Sequence, residues 1–141
     1  MKILLAVDGS DYTRRMLAYL EAHDKLLGHD NDFTALTVVA QLPPRARGVM
    51  SRDERGRLHS EEAQKVLDPV LAFLQRYGGS SAQGHFEVGQ PGETIARYAQ
   101  EGQFDLIVMG SHGHGRLANL MLGSVTTAVL SHCNVPVLLV R

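Results

Sequence analysis

Leu106-Ile107-Val108-Met109-Gly110-Ser111-His112-Gly113-His114-Gly115-Arg116 leads, through an apolar run from Leu117 to Leu122, into Gly123-Ser124-Val125-Thr126-Thr127. The apolar run before Gly110 has the length of a buried strand, and a glycine-punctuated loop separates it from a helix that opens near Ser124. Strand, turn and helix recur in that order along the chain. Ile3 to Val7 reads as the first strand, followed by a helix started by Ser10 or Asp11 side-chain oxygens, with Met16, Leu17, Leu20 and Leu27 turned inward. Phe33 to Val39, His85 to Val88, Phe104 to Met109 and Val135 to Val140 are the remaining strands, with a short helix from Thr94 to Gln100. Apolar runs of strand length alternating with helical segments describe a parallel sheet with crossover helices, so the fold class is α/β with five strands.

The second helix is written by Ala63, Val66, Leu67, Val70, Leu71 and Leu74, spaced three and four apart. Pro69 interrupts it at a cost of about 3 kcal/mol, which predicts a kink or a restart capped by Asp68. Between strand two and this helix, the arginine-rich stretch Gln41 to Arg57, with Pro43-Pro44 and Gly48, reads as a mobile loop.

A chain of 141 residues, 44% hydrophobic and 21% charged, fits one domain over residues 1 to 141 with a packed core. A formal net charge of -1 removes the global positive field that would draw the protein to nucleic acid or anionic lipid. The apolar run at Ile3 is too short for a signal peptide or a membrane span, and the one cysteine, Cys133, has no internal partner for a disulfide. A cytoplasmic setting is the expectation. Beyond Asp105 the chain has no Asp or Glu, whereas Arg116 and Arg141 remain, so the last third is locally cationic.

That local field, the glycines and the helix start together suit an anion. Glycines let main-chain N–H groups converge on it, a helix N-terminus adds donors and roughly half a positive charge, and the hydroxyls of Ser124, Thr126 and Thr127 add more. The lysine-bearing P-loop is excluded, because none of Lys2, Lys25 and Lys65 follows such a loop. Gly113-x-Gly115-x-x-Ala118 matches the dinucleotide fingerprint by letters, but it does not follow the first strand and no acidic residue stands about twenty positions on.

The full spacing Gly110-x2-Gly113-x9-Gly123-Ser124, with Ile3-Leu4-Leu5-Ala6-Val7-Asp8-Gly9-Ser10 at the start and Val135-Pro136-Val137-Leu138-Leu139-Val140 at the end, resembles the universal stress proteins, in their ATP-binding branch. The resemblance implies a Rossmann-like sheet of order 3-2-1-4-5 with helices on both faces. It implies ATP as ligand, with Mg2+ held mainly by the phosphates. Ala6 and Asp8 would lie against the adenosine, Val38 on the adenine and Gly110 at the ribose. Ser111, His112, Gly113, His114, Gly115 and Arg116, with Gly123, Ser124, Val125 and Thr126, would enclose the phosphates. It also implies a homodimer paired through Val135 to Val140. A side chain at Gly123 is expected to stand where phosphate approaches.

Other readings of the same residues stay open. His112, His114, His132 and Cys133 are zinc-ligand types, though no second-shell pattern fixes them, so solvent or phosphate contacts are the preferred reading. Asp8 fits a general base or a turn acceptor. Arg45, Arg47, Arg52, Arg55 and Arg57 lack interleaved aromatics for base stacking and read as a solvated loop. A nucleotide-dependent stress-response module, a weak ATPase or phosphotransferase working through His112 or His114, and a nucleotide-free dimeric scaffold are the functions to separate.

Overall fold

The computed structural model describes residues 1–28, 30–77, 81–114 and 122–141. In chain order the elements are β1 Lys2–Ala6, α1 Asp11–Ala22, α2 Asp24–Leu27, β2 Asp32–Val39, α3 Pro44–Val49, α4 Arg52–Arg76, β3 Gln83–Val88, α5 Pro91–Glu101, β4 Leu106–Gly110, α6 Ser124–His132 and β5 Val137–Val140. The five strands form one parallel sheet of order β3-β2-β1-β4-β5, as the sequence predicts. Ala6 stands opposite Leu36 on one side and Met109 on the other, so β1 and β4 finish side by side at the sheet's centre.

Strand period sorts the core into two layers. Ile3, Leu5 and Val7 face α1 and α4, meeting Met16, Leu20, Leu67 and Leu74, whereas Leu4 faces α5 and α6 with Ile95, Ala99 and Val129. Ile3, Leu4 and Leu5 are fully buried, as a strand covered on both faces requires; each such side chain contributes about 1.5–3 kcal/mol of transfer free energy. The apolar runs of β1 and β4 are continuous because helices cover both faces there.

Two expectations are corrected. Gln41 to Arg57 is not a loop throughout: Pro44 opens α3 and Ser51 opens α4 with a capping box, in which Glu54 N–H donates to Ser51 Oγ at 3.1 Å and Ser51 N–H to Glu54 Oε2 at 2.7 Å. Nor does α4 restart at Pro69. It runs as one helix of 25 residues, because Ala63, Leu67, Val70 and Leu74 form one buried stripe across the proline, and that packing outweighs the lost N–H. Leu27 is buried as expected, but from the short α2 rather than from α1. The closing Gly78 and Gly79 lie outside the described residues.

Candidate functional site

The chain leaves β1 toward one edge of the sheet and β4 toward the other, which opens a crevice beyond their carboxyl ends. A cavity of about 750 Å3 occupies that place. Its size is that of a small-molecule site. One wall is apolar and comes from five elements: Ala6, Val38, Met109, Pro91, Ile95 and Val125. The opposite wall is polar and is made by two connections, β1 to α1 and β4 to α6.

In the first connection Gly9 adopts φ 75°, a left-handed turn that glycine enters without strain. The turn folds the Asp8 carboxylate back on its own helix, where Oδ1 accepts from Ser10 N–H at 2.9 Å and from the Thr13 hydroxyl at 3.1 Å. Asp8 N–H donates to Thr13 Oγ1 at 3.2 Å. Ser10, expected to start α1 with its side chain, makes no cap bond, and its Oγ is buried without a partner among the described residues. Tyr12 lines the cavity beside this turn, with the Arg15 guanidinium 5.1 Å from its ring centre.

The described start of the second connection, Ser111 to His114, is laid tightly against the first. A Cβ on Gly110 would stand 2.5 Å from Tyr12 Cβ, and one on Gly113 would stand 2.5 Å from Asp8 Oδ2. Only glycine fits at 113 without moving a carboxylate. His112 sets its ring 5.3 Å from that of Tyr12, and its Nδ1 lies 3.0 Å from Ser111 Oγ. His114 Nε2 lies 2.6 Å from the Asp8 carbonyl oxygen. Because that oxygen only accepts, Nε2 carries the hydrogen.

Helix α6 then begins at Ser124 with Gly123 before it and no side-chain cap. Thr127 N–H makes the first helical bond, to Gly123 O at 3.0 Å, so the amides of Ser124, Val125 and Thr126 precede it and have no acceptor among the described residues. The Gly113 and His114 amides are likewise uncommitted among the described residues. No acidic residue lies in the first turn of α6, although α1 has Asp11, α4 has Asp53 and Glu54, and α5 has Glu93. The positive end of α6 therefore faces the cavity without a carboxylate of its own to answer it.

Of the residues the sequence singles out, Ala6, Asp8, Val38, Gly110, His112, Gly113, His114, Gly123, Ser124, Val125 and Thr126 all reach the cavity wall. Gly115 and Arg116 lie outside the described residues. Ser111 stands behind the wall: it is buried, its amide donates to Val140 O and its carbonyl accepts Gly123 N–H. The expected hydroxyl donors are reduced to one. Thr126 Oγ1 donates to the Gly110 and Ser111 carbonyls and Thr127 Oγ1 to Gly123 O, which leaves Ser124 Oγ alone without a protein acceptor among the described residues. At Gly123 a Cβ would meet Ser111 O at 3.1 Å and His112 Cα at 3.2 Å. Its missing side chain makes room for the neighbouring backbone at the cavity wall. The other histidine and thiol are turned to carbonyls, His132 Nδ1 to Ala128 O and Cys133 Sγ to Ala96 O.

Sequence reading missed Tyr12, Thr13, Pro91, Ile95 and Met109 as wall residues. The usable signal was the strand order, since the first turn after each central strand lines the crevice of an open parallel sheet.

The universal stress protein family matches the chain over residues 1–141. A universal stress protein of Thermus aquaticus is 35% identical over 140 residues, covering 99% of this chain and 97% of that protein. Universal stress protein Slr1230 of Synechocystis sp. is 32% identical over 140 residues, which are 99% of this chain and 42% of that protein, so the chain spans less than half the length of this relative. Among solved structures, that of MJ0577 from Methanocaldococcus jannaschii superposes with a TM-score of 0.75 at 27% identity, covering 99% of this chain and 94% of that one. A universal stress protein from Archaeoglobus fulgidus in complex with dAMP shares the fold at a TM-score of 0.65 and 23% identity, covering 100% of this chain and 98% of that one. The chain belongs to the universal stress protein family.

Proposed function

We propose that the chain is a nucleotide-binding regulatory module that holds ATP in the cavity at the centre of the sheet. The observation that carries this reading is the division of one cavity into an apolar slot and an uncapped helix start. The slot between Val38, Ile95 and Met109 suits a flat, weakly polar base. The amides of Gly113, His114, Ser124, Val125 and Thr126, with Ser124 Oγ, suit a chain of phosphates, and they do so without a lysine. Asp8 belongs at the nucleoside end, since a carboxylate beside phosphate would repel it and its Oδ2 is free to accept from a hydroxyl. Mg2+ would be carried by the phosphates, because Asp8 is the one carboxylate in the described wall and its Oδ1 already serves Ser10 and Thr13. That the Archaeoglobus relative holds dAMP agrees with an adenine nucleotide in this fold.

Binding is favoured over turnover. A hydrolase needs a group beside the phosphates to position or deprotonate water, yet Asp8 belongs at the nucleoside end with its Oδ1 engaged within its turn, and His114 Nε2 is engaged with Asp8 O. Occupancy would instead shift the population of a conformer or a dimer that partners read, in the cytoplasm and as a single domain. The edge strand β5 offers the surface for a homodimer, with its outer backbone groups unpaired by any strand of the described sheet.

Denaturing the purified protein and chromatographing the supernatant tests the proposal directly. Adenine nucleotide at a substantial fraction of the protein concentration is the expected result, together with calorimetric binding of added ATP. Absence of both leaves the dimeric scaffold; steady phosphate release that is lost in His112→Ala establishes the ATPase.

A further inference from the structure

The contact between His114 and Asp8 joins residues 106 positions apart and closes the two polar connections over the cavity mouth. No regular element holds the segment from Ser111 to His114, and at its far end His114 is exposed. We propose that His114 is the latch of this cavity and makes its hold on a polyphosphate stronger as pH falls. The inference rests on the nucleotide reading above and deepens it.

The argument is one of atoms. The Asp8 carbonyl can only accept, so Nε2 keeps its hydrogen in either protonation state and the latch survives titration. A second proton on the ring therefore goes to Nδ1 and adds a full positive charge to the strap. That charge is delivered next to the His114 and Gly113 amides, where the phosphates are placed. Among the described residues the groups around it are few. The β1–α1 turn brings the Asp8 carboxylate, α1 brings Tyr12 and Arg15, and the strap itself brings His112. The start of α6 brings only hydroxyls, and α5 brings Pro91 and Ile95, which carry no charge. A triphosphate, with more negative charge near the strap, gains more from the added proton than a monophosphate does.

Two substitutions separate the latch from the charge. His114→Gln keeps an N–H donor on a side chain of similar reach and cannot be protonated, whereas His114→Ala has neither property. Affinity and dissociation rate for ATP and for AMP would be measured by calorimetry and stopped flow at about pH 8 and about pH 6, at constant magnesium. Phosphate protonation affects every variant alike, so the difference between variants is what is read. At pH 8, His114→Ala is expected to release ATP about tenfold faster than wild type, and His114→Gln to recover most of that loss. Between pH 8 and pH 6, wild type is expected to gain about fivefold in ATP affinity relative to His114→Gln, and less for AMP. His112→Gln, run beside them, should keep most of this gain. A wild-type pH slope in His114→Gln, an equal slope for AMP, or unchanged release from His114→Ala overturns the proposal while the measured binding leaves the nucleotide reading standing. No nucleotide binding by any variant at either pH overturns both.

Discussion

Helices α1 and α6 both start at the same cavity, and their starts differ in charge. At α1 the Asp8 carboxylate folds back onto Ser10 and Thr13, and Asp11 stands in the first turn, paired with Arg14. At α6 no acid stands in the first turn, although like α1 it has no side-chain cap and three amides before its first helical bond. A helix start that carries its own carboxylates has its partial charge answered from within, so it has little to offer a foreign anion. A start without an acid beside a cavity gives up about 0.3–1 kcal/mol of dipole stabilisation and keeps its positive end for a ligand. The difference divides the cavity into an acceptor end and a donor end, and it orients whatever binds there.

The strap that brings the donor end into place is its most sensitive part. Gly113→Val puts a branched side chain where a Cβ alone would lie 2.5 Å from Asp8 Oδ2, so the strap must lift away from the β1–α1 turn. Losing the aligned amides of Gly113 and His114 together is expected to weaken ATP about a hundredfold, since hydrogen bonds to charged groups contribute about 1.5–3 kcal/mol each. Calorimetry reads the loss, and a thermal melt near that of wild type shows that the sheet is intact. Wild-type affinity in this variant would remove the strap from the site.

Ser124→Glu gives α6 the acidic first turn that α1, α4 and α5 already have. Two effects of opposite sign are expected. The helix start gains about 0.3–1 kcal/mol of stability from the carboxylate, while ATP affinity falls about tenfold because the same carboxylate competes with phosphate. A denaturant titration and a binding isotherm on one preparation decide it; affinity that rises or holds would show that phosphate does not sit at α6.

Much of this architecture stands in the sequence, because buried parallel strands announce themselves as continuous apolar runs and the glycine spacing falls on a single connection. What was illegible has physical reasons. The first half of α4 has no apolar stripe, so its arginines read as loop, although Ser51-x-x-Glu54 was there to mark the start. Thr126 and Thr127 look like ligand donors in a sequence, but a helical threonine often donates to the carbonyl one turn back, and Thr127 does so to Gly123. Glycine gives the same letter whatever it makes room for, and only coordinates place the neighbouring backbone against Gly123. Pro91 and Ile95 reach the wall through the docking of α5, which strand order fixes and local pattern does not.

The acceptor end is tested by Asp8→Ala. Ser10 N–H and the Thr13 hydroxyl lose their shared acceptor, which is expected to lower stability by about 1 kcal/mol. Affinity for ATP should fall about fivefold, whereas inorganic triphosphate should compete as well as before, because it uses only the donor end. Equal losses for ATP and triphosphate would place Asp8 among the phosphates and collapse the distinction between the two ends.

Ser51→Ala supplies the third kind of helix start, one capped by side chains and remote from the cavity. Removing the hydroxyl deprives Glu54 N–H of its acceptor and is expected to lower stability by about 1 kcal/mol with ATP affinity unchanged. The Ser51 backbone N–H, and then the Ser51 hydroxyl, hold the Glu54 carboxyl below its ordinary value. A carboxylate depressed in the folded state adds stability above the ordinary range, and loses it as pH falls through the lowered value. Wild type should therefore lose stability on acidification below about pH 4.5 more steeply than Glu54→Gln does, as read by denaturant midpoints over that range. If instead Ser51→Ala weakened ATP as Ser124→Glu does, bare and capped helix starts would be equivalent, and the contrast between α1 and α6 would carry no information about where the phosphates lie.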